Sequence, residues 1–406
     1  MCNKTVKQVL NDLLRLLNKV YSKADKQTDQ RKIVTDTIDK PPSTHFYFDE
    51  RCFWHGGGNY AQMLPVGGLV QPMVAGGLPE APETKRRLRN LIDVTGLSAE
   101  LHLSSTAAAT KQDLLRVHPE AYINEFKQLS DSGGGELGLR TPFGPGGFEI
   151  ASLSAGLVKQ AVASVLEGSA KNAYALSRPP GHHCLPDFPN GFCLLANIPI
   201  AIEAARAAQL VNRVAVVDWD VHHGNGTEAI YYDDPDCLSI SIHQERCYPQ
   251  DSGGIEKTGS IKAPGANMNI PLPPGSGHAS YLEAMERLVV AKLREFKPEL
   301  VIVACGFDAA STDPLARMMC SSVTFKEMSA MLMAETDGKI VMAHEGGYSE
   351  AYVPFCGHKV LEQMSGSALD IDDPMLERII GQQPNERLQA FVSSEISSLV
   401  GYYSLE

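Results

Sequence analysis

The sequence reads as an α/β protein: a single open parallel sheet with helices on both faces and its active site at the C-terminal ends of the strands. Two observations predict this. From Thr44 onward, short β-rich runs alternate with helical patterns, which is the rhythm of βαβ units. Five of those runs are followed at once by polar, chemically capable residues, with Gly and Pro clustered in the same places. The 406 residues, 43% hydrophobic and 21% charged, have ordinary globular composition, which excludes global disorder. The 36 Lys+Arg against 48 Asp+Glu leave a net charge of −12, which argues against nucleic acid as the main ligand. No apolar run near the roughly 20 residues needed to span a bilayer stands out. Asp12, Arg15 and Lys19 interrupt the N-terminus where a secretory signal would be apolar. Nine cysteines without a CxxC pair read as reduced thiols of a cytoplasmic compartment. Any metal must therefore be held by His and Asp.

Taken in order, Val6, Val9, Leu10, Leu13, Leu14, Leu16, Leu17, Val20 and Tyr21 recur at helical spacing and predict one amphipathic helix. Residues 22–43 are polar and end in Pro41, Pro42 and Ser43, a linker. Residues 1–43 are thus set apart from a catalytic domain at 44–406. The helix reads as a docking or self-association element, with membrane-surface or partner binding as the minority reading. A helix over 150–166 precedes a strand over 173–177, which runs into Arg178, His182 and His183. A helix over 198–208 precedes a strand over 213–217, which runs into Asp218, Asp220, His222 and Asn225. A strand over 237–242 ends in His243. A helix over 280–296 leads to a strand over 300–305 and then Asp308. A helix over 325–335 leads to a strand over 339–343, then His344, Glu345 and Tyr348. Five strand ends loaded in this way describe one shared site.

Asp220 and His222 are two residues apart, so alternation at a strand end turns both to one side. Asp308 completes a set of protein ligands that leaves a position open for water or substrate, the mark of a catalytic metal. Zn2+ suits the set, and Mn2+ or Fe2+ is compatible with the same ligand types. Asp218 is placed to orient one neighbouring histidine, and Asn225 another as a neutral partner. His182 and His183 then acquire unequal basicity, as a base and an acid or electrostatic partner require. Tyr348 follows two glycines and is suited to donate a hydrogen bond to a developing oxyanion.

The motifs RPPGHH at 178–183, GFC at 191–193, DWDVHHGNG at 218–226, GFDA at 306–309 and EGGYS at 345–349 together resemble the zinc-dependent histone deacetylase family, across roughly residues 45–375. Asn225, within HHGNG, is similar to the class II branch. PVGGLVQP at 65–72, PETKRRL at 82–88 and DPLARM at 313–318 most resemble the bacterial histone-deacetylase-like amidohydrolases. The resemblance implies an arginase/deacetylase-like sheet of about eight strands. It implies one catalytic zinc on Asp220, His222 and Asp308, and a catalytic group of His182, His183, Asp218, Asn225 and Tyr348, with His183 the main base. It implies a structural potassium ion near Asp218, Asp220, His222, Ser241 and Ile242, and a second monovalent site near Tyr231. An acyl-lysine channel is implied at Gly191, Phe192, Tyr248 and Leu315. Tyr248 stands where the family usually has Phe. Leu315 stands where polyamine-deacetylating relatives carry a glutamate.

The activity so implied is hydrolysis of N6-acetyl-lysine in proteins, histone tails among the candidate substrates, in the cytoplasm or in a host nucleus if the protein is exported. The alternatives are an acetylpolyamine or other small-molecule amidohydrolase, an arginase-like dinuclear hydrolase, and a deacetylase-like binding scaffold. Cys184, next to the dyad, reads as a buried thiol rather than a redox-sensitive one, and His118 and His243 read as structural. His278 is placed near the pocket rim without a role.

Overall fold

The structure, a computed structural model, describes residues 43–56, 60–61, 63–65 and 78–405. The helix expected within residues 1–43, and residues 66–72 of the stretch compared with bacterial proteins, lie outside the described residues.

Eight strands form the main sheet. They are β1 Thr44–Tyr47, β2 His102–Ser104, β3 Asn172–Ala175, β4 Val214–Asp218, β5 Cys237–Gln244, β6 Asn267–Leu272, β7 Leu300–Cys305 and β8 Ile340–His344. Their order is β6-β5-β4-β7-β8-β3-β1-β2, and every pairing is parallel. Every residue of β3, β4, β5, β7 and β8 is buried. Successive side chains point to opposite faces, so unbroken burial means that both faces are covered.

The principal covering helices are α1 Pro82–Thr95, α2 Glu120–Asp131, α3 Gly147–Leu166, α4 Asn197–Ala207 and α5 Asn225–Tyr231. A longer α6 runs from His278–Ala284 through a π turn, Met285–Val290, into Ala291–Phe296. Then come α7 Ser322–Glu335, α8 Val353–Ser365 and α9 Glu386–Tyr402. A small antiparallel pair, Gly135–Glu136 with Pro142–Phe143, stands apart from the sheet.

The five expected strands match β3, β4, β5, β7 and β8 to within a few residues. β1, β2 and β6 did not register, because THFY, HLS and NMNIPL carry His, Asn and Pro where β-branched residues would announce a strand. One expectation needs correcting. α3 has 20 residues and is apolar enough to cross a bilayer by length and composition, but 67% of its most apolar window is buried inside the fold. It is a core helix, and its lack of a polar face is the consequence.

The outer edge of β6 is closed by a side chain. The Tyr403 hydroxyl accepts from the Asn269 N–H at 3.2 Å and donates to the Asn269 carbonyl at 2.7 Å. Backbone groups that would otherwise offer a pairing edge are satisfied there.

Candidate active site

The chain passes from β4 outward to β5 and β6, then returns to β7 and moves the other way to β8. The connections leaving β4 and β7 therefore diverge, and a crevice opens between their carboxyl ends, where such sheets bind ligands. Asp218 ends β4, with Asp220 and His222 just beyond it. Asp308 follows the end of β7.

Asp220 and His222 lie in an irregular turn past the strand, not in the strand as the alternation argument supposed. Hydrogen bonds to backbone keep them on one side instead. The Asp220 N–H donates to Asp218 Oδ1 at 3.0 Å and the His222 N–H to Asp220 Oδ1 at 2.9 Å. The second oxygen of Asp220 accepts from the Gly346 N–H at 2.8 Å, and Asp308 Oδ1 accepts from the Val221 N–H at 2.7 Å. His222 Nδ1 then sits 3.0 Å from both Asp220 Oδ1 and Asp308 Oδ2. All three side chains are buried, and their ligand atoms lie within 4.8 Å of one another.

Two glycines make room for this group. A Cβ on Gly306 would stand 2.2 Å from Asp220 Oδ2, and one on Gly346 would stand 2.2 Å from Asp308 Oδ2. Burial, with the Asp220 charge beside it, pushes the Asp308 carboxyl up to about 6. Buried carboxylates crowded around one imidazole are what a divalent cation relieves. The donor set therefore fits a metal.

The histidine pair sits beside it, ring centroids 3.9 Å apart. His182 Nδ1 lies 2.9 Å from Asp218 Oδ2, and His183 Nδ1 lies 2.8 Å from Asn225 Oδ1. Burial alone would depress His182, but Asp220 and Asp218 outweigh it and raise the imidazole to about 10. Burial, together with the neighbouring His182 and His222, holds His183 well below its ordinary value. The surroundings thus pull the two rings in opposite directions, His182 up and His183 down. Burial and the Asp308 and Asp220 charges keep the Tyr348 phenol protonated, far above its ordinary range.

The cleft over these groups has a volume of about 180 Å³. His183, His222 and Tyr348 line it together with Gly191, Phe192, Tyr248 and Leu315, so the expected channel residues meet at one place. Phe192 packs edge-on to Tyr348 at 5.9 Å, and Tyr248 edge-on to His183 at 4.9 Å. Gly191 has φ +55, and a Cβ there would come within 2.4 Å of the His183 ring. Ser241 and Ile242 lie buried in β5, with Ser241 in register with Asp218. Tyr231 is buried and donates to Glu203 at 3.2 Å. Cys184, His118 and His243 are buried. His278 starts α6 and faces Thr324, away from the cleft lining.

The sequence left several contributors without a role. Asp313 accepts from the Tyr348 N–H at 2.7 Å and the Leu315 N–H at 2.9 Å, so one carboxyl sets both the phenol and a channel wall. Glu345 accepts from the Gly181 and His182 N–H groups at 2.6 and 3.1 Å and fixes the turn that carries the dyad. Arg178 anchors the start of that turn from below. It donates to Glu80 Oε1 at 3.0 Å and to the Cys52, His55 and Glu80 carbonyls. Met63, Arg140 and Cys247 also line the cleft. Only the motifs containing Asp313, Glu345 and Arg178 could have signalled them.

A buried carboxylate–imidazole donor set, a histidine pair and a phenol around one cleft at the switch point of a parallel sheet define a metal-assisted hydrolase as the candidate class. The comparisons agree. A family model described as "Histone deacetylase domain" matches residues 78–364, and the chain belongs to the histone deacetylase family. A Pseudomonas aeruginosa histone deacetylase-like amidohydrolase is 54% identical over 366 residues, 89% of this chain and 96% of that protein. A probable deacetylase of Archaeoglobus fulgidus is 36% identical over 298 residues, 71% and 82% of the two chains. Among solved structures, the HDA15 HD domain matches with a TM-score of 0.76 at 28% identity, covering 89% of this chain and 97% of that one.

Proposed function

We propose that this chain hydrolyses the amide of N6-acetyl-lysine in proteins and releases acetate, with zinc held by Asp220, His222 and Asp308. The observation that carries the reading is the junction of that donor set with a narrow cleft walled by Phe192, Tyr248 and Leu315. At about 180 Å³ the cleft is smaller than the roughly 300–1,000 Å³ of drug-sized sites. It suits a linear alkyl chain ending in a small acyl group. Zinc bound there supplies a Lewis acid that polarises the scissile carbonyl and acidifies water.

The protein's own groups do the rest. Phe192 and Tyr248 hold the lysine methylenes and exclude water. His183, neutral and open to the cleft, takes the proton of the attacking water at Nε2, while Asn225 fixes its ring through Nδ1. His182, charged against Asp218, stabilises the negative charge that develops nearby. Tyr348 donates its hydroxyl proton in a hydrogen bond to the carbonyl oxygen as that oxygen becomes an oxyanion. The dyad then returns a proton to the departing lysine amine.

The reading keeps the class II assignment through Asn225 and a structural potassium ion at Asp218, Asp220, His222, Ser241 and Ile242. It also places the protein in a reducing, cytoplasmic compartment, in keeping with the eight free cysteines of the described residues.

The test is acetate release from an acetyl-lysine peptide by zinc-loaded, chelated and zinc-restored protein, with acetylspermidine as a parallel substrate. Peptide turnover that follows zinc supports the reading. Turnover of acetylspermidine alone replaces it with a small-molecule amidohydrolase. Tyr348→Phe is expected to keep its metal and lose about 10²–10³-fold in kcat. Near-normal turnover in that variant removes Tyr348 from the chemistry.

A further inference from the structure

We propose that Arg140 selects acyl-lysine substrates that carry a carboxylate beside the reacting lysine, either a neighbouring Asp or Glu or the lysine's own α-carboxylate. The inference rests on the deacylase reading and concerns what the mouth of the cleft prefers.

Arg140 lies in the connection between Gly135–Glu136 and Pro142–Phe143 and lines the same cleft as His183 and Tyr348. Its backbone is in the left-handed region, φ 59, which a residue with a Cβ adopts at a cost and keeps only when its surroundings impose it. Here they do. The Phe192 N–H donates to the Arg140 carbonyl at 3.0 Å, and the Gly191 N–H to the Leu139 carbonyl at 3.1 Å. The segment that forms one wall of the channel thus also fixes where Arg140 stands.

Its guanidinium carbon lies 5.4 Å from the centroid of the Tyr248 ring. That ring is held in turn, since its hydroxyl donates to Asn190 Oδ1 at 2.9 Å and Asn190 Nδ2 donates to the His183 carbonyl at 2.7 Å. Stacking occupies the face of a guanidinium and leaves its N–H edge free, the edge that binds a carboxylate with two parallel hydrogen bonds. Among the described residues no carboxylate pairs with Arg140. Other arginines are committed, Arg178 to Glu80, Arg206 to Asp234 and Arg294 to Glu335. Among the described residues that line the cleft, none is a carboxylate. In a chain with a net charge of −12, the mouth therefore presents an unspent positive charge. A second ammonium group, as on a polyamine, meets repulsion there, and Leu315 offers it no partner.

The experiment uses zinc-loaded full-length protein and acetyl-lysine peptides that differ only in flanking residues: Asp, Ala or Lys. Free N6-acetyl-lysine and its α-amide form a second pair. The wild type is expected to favour the Asp peptide over the Ala peptide by about three- to tenfold in kcat/KM, carried by KM. The preference should shrink as salt is raised. Arg140→Gln should level the series, and Arg140→Glu should turn it toward the Lys peptide, a reversal that a merely structural role does not produce. A gain for free N6-acetyl-lysine over its amide, without one for the Asp peptide, assigns the carboxylate to the amino acid itself. Equal kcat/KM across all charges in the wild type, or an unchanged preference in Arg140→Glu, overturns the inference and leaves the deacylase reading standing. No turnover of any acetyl-lysine substrate removes both.

Discussion

At Gly306 and Gly346 the missing side chain is what lets two carboxylates share one space. Alanine at 306 would put a methyl 2.2 Å from Asp220 Oδ2, and the clash is with a side chain already held by the Gly346 N–H. Gly306→Ala is expected to lower metal affinity by about 10–100-fold, as losses of support around a ligand do, while the chain still folds. Metal titration followed by circular dichroism checks both halves, and unchanged affinity would show that the carboxylate can step aside. The donors and the dyad were legible from sequence because each of Asp220, His222, Asp308, His182 and His183 carries its chemistry in its own side chain. Asp313 was not, because it acts through the N–H groups of Tyr348 and Leu315, and a backbone partner leaves no mark on residue type. Arg140 was illegible for a related reason: its meaning lies in a stack on Tyr248 from a distant segment.

Between elements, the end of β3 is tied to the start of α1 by a buried charge cluster. Glu80 receives Arg178 at 3.0 Å and Lys85 at 3.2 Å, with all three side chains essentially inaccessible. Burial opposes the Glu80 charge, but Arg178 and Lys85 outweigh it and hold the carboxyl at about 2 against an ordinary 4.5. A depressed carboxyl stabilises the fold fully above pH 4.5, and that contribution, about 3 kcal/mol for a shift of this size, is lost as pH falls through about 2. Glu80→Gln leaves two cations unpaired and should cost about 3–5 kcal/mol at neutral pH. Its deficit relative to wild type should narrow toward pH 2. Urea unfolding at pH 7 and pH 3 reads this directly, and an equal deficit at both contradicts the pairing. At the far edge of the sheet, Tyr403→Phe should cost about 1–3 kcal/mol by orphaning the Asn269 N–H. A denaturation midpoint unchanged from wild type would mean that water replaces the hydroxyl. The central strands were legible because burial on both faces demands unbroken apolar runs such as LVIVAC in β7. β1, β2 and β6 lie toward the margins, where Pro271 and the flanking histidines are tolerated.

On the scale of the whole molecule, buried acids gather at one end of the sheet. Asp218, Asp220, Asp308 and Glu345 are all essentially inaccessible, with His182 and His222 to offset them. A cation that binds only the folded chain stabilises it by mass action, about 4 kcal/mol at a thousandfold excess over the dissociation constant. The melting temperature should therefore fall on chelation and recover with zinc, and identical melts with and without chelator would argue against a metal in this cluster. The alternation of strands and helices made the layered architecture readable, but the strand order was not, since it depends on which edge each crossover seeks. That order has a further consequence. β4 and β7 are neighbours in space, yet residues 219–299, with β5, β6 and α6 among them, separate them in sequence. If the chain were nicked within 245–266, Asp220 and His222 would stay on one fragment and Asp308 on the other, with the strands of the two pieces interleaved like the fingers of clasped hands. The bound ion would then act as a suture across the cut, and the two pieces would come back together in proportion to the zinc supplied.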